Sequence, residues 1–255
     1  MNFLFGKVVL ITGASTAIGA GTAVHFATLG CGLALVGKHM DTLQTVAVEC
    51  EERGLERDQI ILVKADDTKQ VEETISSVIN TFKKIDIVVN CIDCMAYGGL
   101  ECSGDVFDKI FETNVKSIFT ICKAVQQHII KSKGVIINVS SAYSLRSSPG
   151  LMIYGMSKAA VDHMTKTLAL ELASKQVRVN AVNPGIVQTP SYVRPNTDSV
   201  EQMRAEVQKW HPLERIGQVE DVAKAIAFLA SDEGGFITGE TLPVDGGRHI
   251  SQPEK

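Results

Sequence analysis

Gly134-Val135-Ile136-Ile137-Asn138-Val139-Ser140-Ser141 leads through a short loop into Tyr154-Gly155-Met156-Ser157-Lys158-Ala159-Ala160. The first stretch is apolar and rich in β-branched residues, as a buried parallel strand requires. The loop 142–150 carries Ser, Pro and Gly, and a long helical pattern follows it. Tyr154 and Lys158 are one helical turn apart and share a face. Ser141 stands at a strand's carboxyl end, where open α/β sheets place their ligands. The spacing therefore predicts a phenol, an ammonium and a hydroxyl in one cleft.

That trio has a chemical logic. A tyrosine with a pKa of about 10 is a poor base at neutral pH, and lowering it to about 7 takes ~4 kcal/mol of preference for the phenolate. An ammonium about 4 Å away, at an effective dielectric near 20, supplies about that much. Tyr154 then exchanges a proton with a carbonyl or alcohol oxygen while Ser141 hydrogen-bonds that oxygen. On an arbitrary helix the same Tyr and Lys would be ordinary surface residues, so the context carries the reading.

Working outward, Lys7-Val8-Val9-Leu10-Ile11-Thr12 is a second apolar strand. Gly13-Ala14-Ser15-Thr16-Ala17-Ile18-Gly19 follows and opens a helix reaching about Leu29. Strand, Gly-rich turn and helix together predict a phosphate site on helix amides, with Gly13, Ser15, Thr16, Ile18 and Gly19 as its contacts. The third apolar run, Gly32–Val36, ends in Gly37-Lys38-His39, with no acid before Asp41. An acid there would favour a free ribose 2′-hydroxyl, whereas a base accommodates a 2′-phosphate. Lys38 and His39 therefore predict NADP(H), with NAD(H) as a weaker ligand.

The alternation continues through predicted helices 41–53, 70–82, 105–131, 153–174 and 218–230, and strands 59–64, 85–90, 177–182 and 241–244. Repeated βαβ units predict an α/β fold, a doubly wound parallel sheet with helices on both faces. No linker or composition shift divides residues 1–255, which predicts a single domain. From Asn183-Pro184-Gly185 onward the periodicity loosens, and residues 189–212 are the candidate lid over a substrate.

Composition narrows the class. Of 255 residues, 45% are hydrophobic and 21% charged, and the net charge of −4 offers nothing to nucleic acid. The amino terminus has no signal-peptide layout and no apolar run has membrane-spanning length, which predicts a cytoplasmic protein. Cys91-Ile92-Asp93-Cys94 has the form of a metal or redox pair. A zinc site needs two further ligands, and a redox pair should open a helix, so no metal is expected. Asn138-Val139-Ser140 is a glycosylation sequon in form only, since it lies on a core strand.

Taken together, these motifs resemble the classical short-chain dehydrogenase/reductase family over nearly the whole chain. Thr12-Gly13 through Ile18-Gly19 resembles its cofactor turn, and Asn90 begins the segment that is usually Asn-Asn-Ala-Gly. Asn114, Ser141, Tyr154 and Lys158 match the family's catalytic residues. The resemblance implies that Asp66 contacts adenine and that Pro184, Gly185, Val187 and Thr189 hold the nicotinamide amide. It also implies that Lys158 binds the nicotinamide ribose, and that Asn114 holds a water behind it. Val244-Asp245-Gly246-Gly247 matches the closing strand. The nearest members are 3-oxoacyl-carrier-protein-reductase-like proteins, particularly the animal ones.

The sequence departs from the family in two places. Ala17 stands where Gly is usual, and Cys91-Ile92-Asp93 replaces Asn-Ala-Gly, which puts the Asp93 charge near the cofactor phosphates. The activity implied is reduction of a carbonyl, or the reverse oxidation of an alcohol. A cofactor-binding scaffold or sensor with little turnover is the alternative that the altered segment suggests. The expected pocket wall is apolar, from Tyr192, Val193, Met203, Val207 and Trp210 on one side and Met95, Tyr97, Leu145 and Leu151 on the other. Such a wall suits steroids, isoprenoid alcohols, acyl chains or quinones equally. The resemblance further implies a homotetramer built on helices 105–131 and 153–174. Apolar residues beyond one core face (Ile118, Phe119, Ile121, Val125, Val161, Met164, Leu168 and Leu172) fit that assembly.

Overall fold

The computed structural model describes residues 4–65, 70–189 and 208–251. Asp66, Tyr192, Val193, Met203, Val207 and most of the expected lid lie outside them. Seven strands form one parallel sheet: β1 (Val8–Thr12), β2 (Gly32–Gly37), β3 (Ile60–Lys64), β4 (Ile87–Asn90), β5 (Val135–Val139), β6 (Arg178–Pro184) and β7 (Thr241–Val244). Their spatial order is β3-β2-β1-β4-β5-β6-β7. The order reverses between β1 and β4, and such a switch point opens a crevice at the carboxyl ends of those strands.

Helices α1 (Ala17–Thr28), α2 (Met40–Glu52), α3 (Val71–Phe82), α4 (Gly104–Phe111), α5 (Ser117–Ser132), α6 (Ala142–Leu145), α7 (Met152–Ala173) and α8 (Val219–Ala230) surround the sheet. Strand residues divide by parity, because successive side chains point to opposite faces. Val9, Ile11, Leu33, Leu35 and Ile137 pack with Phe26 of α1, Leu43 of α2 and Ile226 of α8. Val8, Leu10, Ala34 and Ile136 pack with Ile75 of α3, Ile118 of α5 and Val161 of α7. Both faces being covered explains why these strands read as continuous apolar runs and not as alternating ones.

Three expectations change. The single helix expected over 105–131 is α4 and α5 joined by a π turn at Glu112–Lys116, and Asn114 sits in that turn. Such turns occur disproportionately at functional sites. The last residues of β6 are Asn183 and Pro184, which lie beyond the strand expected over 177–182. They extend the strand because β7 pairs alongside, Asn183 with Pro243 and Pro184 with Val244. Finally, Ile118, Ile121, Val125, Val161 and Leu172 are buried in the chain's own core. Of the residues expected at a subunit contact, only Phe119 is well exposed, with Met164 and Leu168 half-buried.

A buried polar thread ties three strand ends to α7. Thr12 Oγ1 donates to Asn90 Oδ1 at 3.1 Å, and Asn90 Nδ2 donates to Asn138 Oδ1 at 2.9 Å. Asn138 Nδ2 then donates to Thr165 Oγ1 at 2.9 Å. Asn90, Asn138 and Thr165 are wholly buried. The Asn90 side chain, expected among the cofactor contacts, points into this thread and is not among the residues that line the cleft. Asn90→Ala leaves Thr12 and Asn138 without these partners in the interior. Each such group costs about 1–3 kcal/mol. Urea unfolding of the variant should show a clearly lowered midpoint, and a midpoint equal to wild type would contradict the thread's contribution.

Candidate active site

The carboxyl ends of β1, β2, β5 and β6 open onto one cleft of ≈ 1060 Å³. That is at the upper end for small-molecule sites, which run to about 1,000 Å³. Gly13, Ser15, Thr16, Ile18, Lys38, His39, Ser141, Tyr154, Lys158, Pro184, Gly185, Val187 and Thr189 all line it.

The turn after β1 is built from contacts that only glycine permits. Gly13 has φ +68°, and a Cβ there would lie 2.6 Å from the Cys91 carbonyl oxygen. A Cβ on Gly19 would lie 2.2 Å from the Gly13 carbonyl oxygen. Gly19 is buried in α1 and closes the turn from beneath. Thr16 caps α1, accepting from the Gly19 amide at 3.1 Å and donating to the Gly13 carbonyl at 2.8 Å. Its hydroxyl is therefore engaged by the turn itself. No acid lies in the first turn of α1, so its amides and dipole face the cleft unopposed. Ala17 begins that helix and lines the cleft in the family's usual glycine position. The cradle fits a pyrophosphate.

Beyond the turn, Lys38 and His39 are exposed at the mouth, just past β2. A Cβ on Gly37 would come within 2.8 Å of Ser15 Oγ. A carboxylate side chain there would require Ser15 to turn away. The apolar wall beside them is Val36, Ala65, Val71 and Ile75. Val71 and Ile75 have no motif in the sequence, and only the packing of α3 under β2 brings them to the cleft.

Ser141, Tyr154 and Lys158 come together on one side of the cleft, as the spacing predicts. Tyr154 and Lys158 are 4% and 1% exposed, on the face of α7 turned towards β5. Ser141 caps α6, accepting from the Tyr143 amide at 3.2 Å, and its hydroxyl acts on the Tyr154 phenol by lowering its pKa. Asn183 Nδ2 donates to the Ser141 carbonyl at 3.3 Å and steadies that corner. Lys158 Nζ donates to the Val139 carbonyl at 3.2 Å and lies 5.6 Å from the centre of the Tyr154 ring.

Asp93 is where the structure departs most from expectation. Its carboxylate pairs with Lys158 Nζ at 2.9 Å and lies 3.5 Å from the Tyr154 hydroxyl, and so does not face the phosphate cradle. Burial, and next the Asp93 charge, push the Tyr154 phenol well above its ordinary pKa, against a smaller lowering by Ser141. The direction is opposite to the lowering that the Tyr154–Lys158 spacing predicts, and burial is its first cause. Asp93 does not have a left-handed backbone, so the glycine usual there is not needed for this path.

Asn114 is wholly buried and clamps Cys94 from both sides. Its Oδ1 accepts from the Cys94 amide at 2.7 Å, while Nδ2 donates to the Cys94 carbonyl at 2.9 Å and to Ser157 Oγ at 3.0 Å. These bonds tie the side chain to the loop that carries Asp93 and to α7. Cys91 is buried, and burial pushes its thiol up to about 12, while Cys94 is half-buried. Among the described residues no cluster of His, Cys, Asp and Glu could hold a metal ion.

Met95, Tyr97 and Tyr143 line the outer cleft. Tyr143, two residues past Ser141, has no place in the sequence reading. Leu145 and Leu151 do not line the cleft: Leu151 is buried in a bridge to Gly98, and Leu145 faces outward. Trp210 packs against Ile186 and lies 4.8 Å from the Arg248 guanidinium.

Residues 13–249 match a family profile described as enoyl-(acyl carrier protein) reductase. The chain is 36% identical to the 3-oxoacyl-[acyl-carrier-protein] reductase FabG of Thermotoga maritima, over 96% of this chain and 98% of that protein. It is 38% identical to the oxidoreductase UcpA of Salmonella typhimurium, over 99% and 98%. A solved short-chain dehydrogenase/reductase of unknown function from Caenorhabditis elegans, with cofactor, superposes with a TM-score of 0.91 at 29% identity, covering 99% of this chain and 98% of that one. The two sequence relatives are bacterial and give the expected animal subgroup no support. No helix among the described residues is long and apolar enough to cross a membrane.

Proposed function

We propose that this chain, which belongs to the classical short-chain dehydrogenase/reductase family and is an oxidoreductase acting on CH–OH groups with NAD(P), prefers NADP(H) and works on the carbonyl or secondary alcohol of a small, apolar substrate. The observation that carries this reading is the convergence of Tyr154, Ser141 and Lys158 on the cleft that the Gly13–Gly19 turn enters. The nicotinamide, when bound, supplies or takes up the hydride. Tyr154 exchanges the proton with the substrate oxygen, and Ser141 hydrogen-bonds that oxygen. Lys158 holds the nicotinamide ribose. Asn114 is a positioning residue that fixes the loop at Cys94.

NADP(H) follows from the charge at the mouth. Lys38 is a mobile ammonium able to meet a 2′-phosphate as a point charge, and Gly37 offers no carboxylate to the ribose hydroxyls. Apolar Met95 with Tyr97 and Tyr143 supports an apolar substrate. A homotetramer is supported by the groove of Phe111, Val115, Phe119 and Met164 on the outside of α4, α5 and α7. Residues 189–212 remain the proposed substrate lid of a single cytoplasmic domain.

Tyr154→Phe should cut turnover by about 100-fold or more, the usual weight of a general acid, while NADPH binds as in wild type. More than about a tenth of wild-type turnover, a loss of only ~1.4 kcal/mol, would remove Tyr154 from the proton transfer. Titration of both cofactors checks the preference. Lys38→Ala should weaken NADPH about tenfold or more and leave NADH nearly unchanged, as loss of one charge-assisted contact does. Equal affinities in wild type, or tighter NADH, would overturn the assignment.

A further inference from the structure

Asp93 lines the cleft beside Tyr154 and Lys158. Its carboxylate is shared by the two groups that matter most, Lys158 Nζ at 2.9 Å and the Tyr154 hydroxyl at 3.5 Å. The placement is enforced from two sides. Asn114 grips the backbone of Cys94, the next residue, at both its amide and its carbonyl. Gly13 packs against the backbone of Cys91 and Ile92, just before it. A loop pinned one residue on either side has little freedom to withdraw the carboxylate.

We propose that Asp93 is a positioning residue for proton transfer: its carboxylate takes the Lys158 ammonium as ion-pair partner and withholds from Tyr154 the positive charge on which phenolate formation depends. This rests on the reading of Tyr154 as the proton donor. In carbonyl reduction the hydride adds to the carbonyl carbon, the phenol O–H bond breaks and the alcohol O–H bond forms. The resulting phenolate then regains its proton from solvent. The protonated phenol is the form that reaction consumes, and Asp93 keeps it populated. Alcohol oxidation needs the phenolate, and Asp93 moves its onset to higher pH.

Other groups face the pair. Ser141 and Tyr143 approach Tyr154 from the segment after β5, and Lys158 lies one turn along α7. Arg248 stacks 5.3 Å from the Tyr143 ring. The Cys91 thiol lies near Lys158 and Asp93, and with its pKa pushed up to about 12 it stays neutral. Asp93 is thus the one carboxylate in contact with either Tyr154 or Lys158 among the described residues.

Ultraviolet difference titration of the phenols, without cofactor, reads the effect directly. The chain has 4 tyrosines, and subtracting the curve of Tyr154→Phe isolates Tyr154. In Asp93→Asn the Tyr154 midpoint should fall by about one pH unit, about tenfold in proton affinity, a value discounted because the carboxylate is 39% exposed. Asp93→Glu, which keeps the charge, should stay close to wild type. The pH at which alcohol oxidation is half-maximal should move down with Asp93→Asn in the same way. An unmoved midpoint in Asp93→Asn that melts like wild type overturns the proposal. So does an equal fall in Asp93→Glu, since charge would then not be the cause. If Asp93→Asn melts early, Asp93→Gly takes its place under the same criteria. Absence of turnover in wild type would count against the reading of function, and the titration would still decide whether Asp93 controls the phenol.

Discussion

The Lys158 ammonium is 1% exposed, and much of the site answers to that fact. Removing such a charge from water costs several kcal/mol unless partners replace the solvent. The Val139 carbonyl and the Asp93 carboxylate are those partners, at 3.2 and 2.9 Å. The first comes from the end of a sheet strand and is fixed. The second comes from a loop and is partly exposed. The charge available to Tyr154 therefore depends on a group that the sheet does not itself hold.

That loop joins two parts of the cleft that would otherwise be independent. Its start, Cys91 and Ile92, lies directly against Gly13 of the phosphate cradle. Asp93 then reaches Lys158 and Tyr154, and Cys94 is clamped by Asn114 from the π turn. Beneath it, the thread from Thr12 through Asn90 and Asn138 to Thr165 ties the same strand ends to α7. The turn after β1 and the amino-terminal part of α7 thus contact one stretch of backbone.

Most of this was legible in the sequence wherever local geometry decides the outcome. Apolar runs ending in Gly13, Gly37 and Ser141 announced parallel strands with ligands at their carboxyl ends. One helical turn sufficed to put Tyr154 and Lys158 together. Directions set by tertiary contacts were not legible. Asn90 ends its strand beside the cleft, but strand parity turns its side chain into the thread. The family pattern puts Asp93 near the phosphates, whereas the grip of Asn114 on Cys94 aims it at Lys158. Val71 and Ile75 reach the cleft only through the packing of α3. Leu151 looked like a pocket residue, and its bridge to Gly98 buries it instead.

In the function we propose, this cleft passes hydride from a reduced nicotinamide to a carbonyl carbon. Incubation of the protein with NADPH deuterated at the transferring position and a panel of apolar ketones tests it most directly, with mass spectrometry of the products. The account predicts an alcohol carrying deuterium on its carbinol carbon. Alcohol without the label, or no alcohol from any ketone while NADPH demonstrably binds, would contradict it.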